Sequence, residues 1–282
     1  MKPLLYLIDG SSQMYRAFHA PIRTSEGTPL RDAQGRPTNA VYIFVTMLRK
    51  LLKEHGAQYI AASFDLPGRT FRDDLAADYK ANRPPMPDDL AVQIPLVHRA
   101  CRALGVPIIT HERYEADDVI GTVARRAQDA GFDVAIVTGD KDFFQLVADG
   151  VRVFNPRDEG IWYDQAGVTE KFGVAPAQVV DVLALMGDSI DNVKGVPGIG
   201  EKGARELIGS FGSLDALLER SADVPQKKYR EALLANADSA RACRELLRIH
   251  TDVPVEIDVR ALRYTGPTTK DCYELFSELG FR

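Results

Sequence analysis

Three observations predict an α/β fold, a central and largely parallel sheet with helices on both faces, followed by a helical second half. From residue 4 to about residue 155, apolar β runs alternate with helical stretches, a pattern that builds a parallel sheet covered on both sides. Gly56, Gly105 and Gly131 each stand where a helix should close before the next strand. After about residue 165 the strand-like runs give way to helical segments, many of them short.

Taken in order, strands are expected at residues 4–8, 59–64, 106–110, 134–138 and 151–154, with helices between them. Later helices are expected at 177–186, 204–210, 214–219, 226–235 and 239–249. The division is placed at residue 165, giving an α/β unit over 1–165 and a helical unit over 166–282. No internal repeat or low-complexity segment stands out.

A chain of 282 residues, 45% hydrophobic and 27% charged, can bury a full core as one large domain or two modest ones. The sequence starts almost directly on a strand, without a signal-like segment, and no apolar run approaches membrane-spanning length, so a cytoplasmic protein with no membrane partner is expected. Cys101, Cys243 and Cys272 are odd in number and widely spaced, which indicates neither a disulfide framework nor a zinc site. His19, His55, His98, His111 and His250 are equally scattered and give no support to a Ser-His-Asp mechanism.

Nine carboxylates fall in five short clusters, most at the end of an apolar run. Asp9 closes LLYLID and Asp65 closes YIAASFD; Glu115, Asp117 and Asp118 form EADD; Asp140 and Asp142 form TGDKD; Asp188 and Asp191 form GDSIDN. Ligands of open α/β sheets bind outside the carboxyl ends of the strands, so acids placed there by several strands share one crevice. Crowded carboxylates take up protons or hold cations, and hard divalent ions such as Mg²⁺ and Mn²⁺ suit an all-oxygen site. Singly, the clusters have plainer readings. Asp9-Gly10-Ser11 suits a turn or helix cap, TGDKD a turn, and EADD the acidic first turn that a helix dipole favours. Jointly they point to metal-dependent phosphoryl transfer. The net charge of −5 does not exclude a nucleic-acid partner, because with these acids set aside the remainder of the chain is positive, and field sign acts locally.

Two stretches break the regular pattern. Residues 66–89, LPGRTFRDDLAADYKANRPPMPDD, form a long polar connection, usually a functional or flexible feature inside a compact domain. Its Arg69, Arg72, Lys80 and Arg83, with Phe71 and Tyr79 among them, suit phosphate contacts and base stacking. The second stretch, KGVPGIGEKG over 194–203, is a glycine-rich turn leading into a helix, a ready anion site. GIGEKG matches G-x-G-x-x-G, but it follows an Asp-rich loop rather than a strand, which argues against a dinucleotide fingerprint.

The order LIDGSS, FRDDLAADYKANRPPMPDDL, EADDVIG, TGDKD, LALMGDSIDN, GVPGIGEKGA closely resembles the 5′-nuclease (5′-3′ exonuclease) domain at the N-terminus of bacterial DNA polymerase I, a member of the flap endonuclease family. The resemblance runs from Leu4 beyond Ala204 and covers nearly the whole chain, although 282 residues leave no room for proofreading or polymerase domains, so either a stand-alone 5′-nuclease or a fragment of a longer enzyme is expected. It implies a PIN-like nuclease fold with a helical arch at about 66–89, and a helical DNA-binding subdomain with a helix-three-turn-helix at about 188–211. It further implies one divalent ion (Mg²⁺ or Mn²⁺) at Asp9, Asp65, Glu115 and Asp117, and a second at Asp117, Asp140, Asp142, Asp188 and Asp191, with Asp118 a nearby or water-mediated ligand. Lys80 and Arg83 match arch residues that act on the scissile phosphate. DNA contacts are expected from Arg16, Arg69, Arg72, Tyr79, Lys80, Arg83, Lys194, Gly195, Gly198, Gly200 and Lys202, with a potassium ion sometimes held at the turn.

The implied activity is structure-specific hydrolysis at 5′ flaps, nicks and frayed ends, leaving 5′-phosphates in primer removal and DNA repair. The implied setting is a monomer at the bacterial nucleoid acting on branched or nicked DNA, with RNA–DNA hybrids as a further substrate. A DNA-binding relative with a degraded metal site is disfavoured by the complete set of nine acids. A Mg²⁺-dependent phosphatase is disfavoured by the basic arch and glycine-rich turn, which a small phosphate ester does not need; an acidic α/β ribonuclease stays open.

Overall fold

The computed structural model describes residues 2–22, 30–157 and 160–281. In chain order it contains β1 (Leu4–Asp9), α1 (Gly10–His19), α2 (Asn39–His55), β2 (Tyr59–Ser63), α3 (Arg72–Leu75), α4 (Asp88–Ala91), α5 (Ile94–Ala103), β3 (Ile108–Ile109), α6 (Ala116–Asp129), β4 (Asp133–Val137), β5 (Val151–Asn155) and β6 (Ile161–Tyr163). Then follow α7 (Gln165–Phe172), α8 (Val179–Met186), α9 (Glu201–Phe211), α10 (Leu214–Glu219), α11 (Lys227–Ala235), α12 (Ala237–Leu247) and α13 (Thr269–Glu278).

The strands form one sheet in the order β3-β2-β1-β4-β5-β6, parallel except for the β5–β6 pair. From β1 the chain first builds outward through β2 and β3, then returns to the other side of β1 for β4 and β5. The β1/β4 seam is therefore the point where strand order reverses, and open α/β sheets bind their ligands outside the carboxyl ends of the strands at such a point. β1 is buried on both faces, which is why it reads as a continuous apolar run. Its side chains alternate. Leu5 and Leu7 enter one core with α6, α8 and α9, whereas Tyr6 and Ile8 enter the other with α1, α2, α5 and α13.

The expected strands are present within a few residues, the one expected at 106–110 shrinking to β3. Gly56, Gly105 and Gly131 follow their helices with φ of 55°, 76° and 88°. The helical half is not a separate body, because Leu183, Leu207 and Leu217 share a continuous core with Leu7, Val119 and Ile136 of the α/β half. Nor does the chain's end belong with residues 166–258. Leu275 and Leu279 are buried in the core beneath α2 and α5, and Glu278 pairs with Arg36 at 2.8 Å and Arg99 at 2.9 Å. A division at residue 165 therefore misplaces α13, which covers the α/β half.

Candidate active site

Strand ends and helix starts assemble the acids around the β1/β4 seam. Asp9 ends β1 and caps α1, with Oδ1 accepting from the Ser12 N–H at 3.1 Å and Oδ2 from the Thr138 hydroxyl at 2.7 Å. Asp65, just beyond β2, accepts the Ala116 N–H at 2.8 Å, while its own N–H donates to Ser11 Oγ at 2.8 Å. These two bonds tie the end of β2 to the starts of α1 and α6. Asp140 caps the 3₁₀ turn Lys141–Leu146, accepting from the Asp142 N–H at 2.9 Å. Its own N–H donates to Thr138 Oγ1 at 3.1 Å. Thr138 thus orients Asp9 and Asp140 together, a role the sequence reading missed although the residue opens the TGDKD string.

Asp188 and Asp191 arrive on a closed loop between α8 and α9. Asp188 and Val193 exchange backbone hydrogen bonds of 2.8 and 2.7 Å, and Gly187 and Gly195 sit back to back at the neck. A Cβ on Gly187 would lie 2.5 Å from the Val193 carbonyl oxygen, and one on Gly195 would lie 2.4 Å from the Gly187 nitrogen. Both positions also have positive φ, 77° and 62°, so only glycine closes this neck without strain.

Crowding sets the electrostatics. Burial, with Asp140 and Asp65 nearby, pushes Asp9 up to about 7 against the hydrogen bonds from Thr138 and Ser12. Burial and the neighbours Asp118 and Glu115 hold Asp117 well above the usual carboxylate range. Asp142 is raised likewise by burial, Asp140 and Asp188. Asp140 is raised by close-packed surroundings and by Asp191 and Asp188, although its edge still reaches solvent. Asp142 Oδ1 is buried without a hydrogen-bond partner.

Residues 72–83 bring cations onto these acids. Arg72, 1% exposed, binds Asp118 through both terminal nitrogens at 2.6 and 2.9 Å and donates to the carbonyls of Leu246 and Arg248 at 2.8 Å. Burial alone would lower its pKa, but Asp117, Asp118 and Glu115 hold it above the ordinary arginine value. Asp118, fully buried, also accepts from the His250 N–H at 2.8 Å. Arg72 is accordingly a core cation, not the phosphate contact its sequence setting suggested, and Asp118 is committed to it rather than facing the crevice. Tyr79 is likewise buried instead of stacking on a base; its hydroxyl donates to Glu115 Oε2 at 3.2 Å and Asp191 Oδ2 at 3.1 Å. Lys80 Nζ bonds Glu115 Oε1 at 2.6 Å, and Arg83 pairs with Asp191.

Among the described residues no three His, Cys, Asp or Glu side chains form a ready cage for a metal ion. The donor set nevertheless fits hard divalent ions that keep several waters and take only one or two carboxylates directly. It is all oxygen, it is held up by mutual repulsion, and it includes the unpartnered Asp142 Oδ1.

The glycine-rich turn lies beside this cluster. Val196 and Ile199 anchor it in the core, while the Lys194 and Lys202 side chains are 82% and 91% exposed. Gly198 and Gly200 are exposed with them, and Gly200 precedes the first turn of α9. Gly195 is buried at the neck of the acidic loop and serves its closure. Arg69 is exposed beside Asp73 and Asp74, and Arg16 is half-buried on α1 with Gln13 among its partners.

Two family models match this chain, the 5′-3′ exonuclease N-terminal resolvase-like domain over residues 4–173 and the 5′-3′ exonuclease C-terminal SAM fold over residues 174–270. The chain belongs to the 5′-3′ exonuclease family. It is 37% identical to a 5′-3′ exonuclease of Aquifex aeolicus, over 98% of this chain and 91% of that one. It is 45% identical to the DNA polymerase I of Chloroflexus aurantiacus over 99% of its own length, spanning 30% of that longer relative. Its fold resembles the bacteriophage T5 flap endonuclease in a pseudo-enzyme–product complex with DNA and metal ions, with a TM-score of 0.71 and 22% identity over 98% of this chain and 99% of that one.

Two outcomes test this site. Arg72→Met would leave Asp118 buried without its cation, and a loss of about 3–5 kcal/mol is expected in urea unfolding; a loss below about 1 kcal/mol would contradict the pairing. In chelator, Asp9 keeps its proton up to about pH 7 in the folded chain but only to about pH 4 when unfolded. Its contribution to stability is therefore complete at low pH and is lost as pH rises through about 7. Asp117, Asp140 and Asp142 act in the same direction and His98, whose pKa burial lowers, in the opposite one. The urea midpoint should fall between pH 5 and pH 8, and a rise would contradict the assigned crowding.

Proposed function

We propose that this chain is a structure-specific 5′-nuclease that hydrolyses phosphodiesters at 5′ flaps, nicks and frayed duplex ends with two divalent cations, Mg²⁺ or Mn²⁺. The observation that carries this reading is the crowding of eight carboxylates from five segments around the β1/β4 seam, close enough to raise four of them, beside an exposed lysine-bearing turn. Asp9, Asp65, Glu115 and Asp117 would hold one ion, and Asp140, Asp142, Asp188 and Asp191, with Asp117 shared, the other. Ions bound there supply Lewis-acid activation of water and stabilisation of the leaving 3′ oxygen; the product then carries a 5′-phosphate.

The chain's own residues do the remainder. Thr138 fixes two of the acids, and Lys80 and Arg83 are the cations near enough to meet the scissile phosphate and offset its developing charge. Lys194, Lys202 and the backbone of Gly198 and Gly200 grip the duplex through phosphates, with a potassium ion as a candidate occupant of the same turn. Arg16 and Arg69 lie on segments adjoining the crevice and extend the track. Phosphate contacts carry little base code, so specificity comes from gripping duplex and flap at once, and RNA–DNA hybrids are within reach. A monomer acting in primer removal and DNA repair at the nucleoid is the setting this chemistry fits.

Asp140→Asn is expected to lower flap cleavage by at least a hundredfold while leaving flap binding, read by fluorescence anisotropy, within about threefold; near-wild-type turnover would overturn the assigned ligand set. Lys202→Ala should weaken duplex binding and reduce the slope of log K against log salt by about 0.9. An unchanged slope would remove the turn from the grip.

A further inference from the structure

The segment 78–83 is stitched to the acidic loop by bonds that no catalytic role requires. Asn192 Nδ2 donates to the Asp78 carbonyl at 2.7 Å, Asn82 Nδ2 donates to the Ser189 carbonyl at 2.7 Å, and the Lys80 N–H donates to the Asp191 carbonyl at 3.0 Å. Lys80 and Asn192, one in each of the two joined segments, both adopt the left-handed region, with φ of 56° and 59°. That backbone is unusual for lysine and tolerated better by asparagine. The stitch aims Lys80 Nζ between Glu115 Oε1 at 2.6 Å and Asp191 Oδ2 at 3.9 Å, and brings Arg83 onto the other Asp191 oxygen.

We propose that Asn82 and Asn192 are positioning residues of a latch that keeps Lys80 and Arg83 in the acid cluster as resident cations, which divalent ions must displace before the same side chains can turn to substrate phosphate. The proposal rests on the reading of the cluster as a divalent-cation site. An ammonium group bonded to Glu115 and a divalent ion on that carboxylate repel each other across a few ångströms, so the two occupancies compete. Release also relieves the left-handed Lys80 backbone, and it frees two cations at the moment a phosphate arrives to receive them. Arg72 takes no part in the exchange, because four hydrogen bonds to Asp118, Leu246 and Arg248 hold it in the core.

The test is Mn²⁺ titration of the DNA-free full chain by calorimetry, with Asn82→Ala and Asn192→Gly beside the parent. Glycine at 192 keeps the left-handed backbone and deletes only the amide, and Asn82→Ala stands independently should the first variant fold poorly. Each variant is expected to bind Mn²⁺ about fivefold more tightly, the equivalent of one hydrogen bond of about 1 kcal/mol. Hydrogen exchange at the Lys80 amide should quicken when Mn²⁺ saturates the parent. A purely structural role for these asparagines would leave affinity unchanged or weaken it, and that result, or slower exchange at Lys80 with Mn²⁺, overturns the latch while the cation site stands. Absence of Mn²⁺ binding in parent and variants alike overturns the cation site, and the latch with it.

Discussion

Like charge concentrated at one end of a parallel sheet is the constraint on which this molecule turns. Acids from β1, the end of β2, the start of α6, the turn after β4 and the loop after α8 crowd together, and burial with that crowding raises the free energy of ionising Asp9, Asp117, Asp140 and Asp142. Such a cluster persists only if the fold pins it and cations answer it. Pinning is done by hydrogen bonds shared with Thr138 and Ser11 and accepted from the starts of α1 and α6, and by the two-glycine neck of the 187–195 loop. The answering cations divide by depth. Arg72 neutralises Asp118 permanently inside the core, while Lys80 and Arg83 reach the crevice from the surface.

The same core that supports the acids supports the glycine-rich turn. Val196 and Ile199 of the glycine-rich turn belong to the apolar cluster that includes Leu7 and Ile136 of the sheet and Ile120 of α6. The lysine-bearing turn is thereby held at a fixed offset from the carboxylates, as the proposed two-point grip requires. On the far face, α13 closes the core over α2 and α5, so chain from both ends of the sequence stabilises the platform that carries the site.

Much of this was legible in the sequence because it depends on local pattern. Apolar runs located β1 to β5, and the ends of those runs located Asp9, Asp65 and the TGDKD acids. Features made by distant partners were not legible. Arg72 and Tyr79 have the residue types of a phosphate contact and a stacking platform, yet carbonyls at Leu246 and Arg248 and carboxylates at Glu115, Asp118 and Asp191 draw both inward. β6 has three residues, too few for a periodicity to register, and the periodicity of α13 would not have said which half it covers. Asn82 and Asn192 look like ordinary turn residues until the folded chain joins their two segments.

The most direct test of the central claim is cleavage of a 5′-labelled double-flap DNA in Mg²⁺ and in EDTA, beside blunt duplex and single strand. Cutting near the flap junction that requires the divalent ion and greatly exceeds cutting of the simpler DNAs is the predicted result. Equal cutting in EDTA, or tight flap binding without cutting in Mg²⁺ or Mn²⁺, would contradict the account.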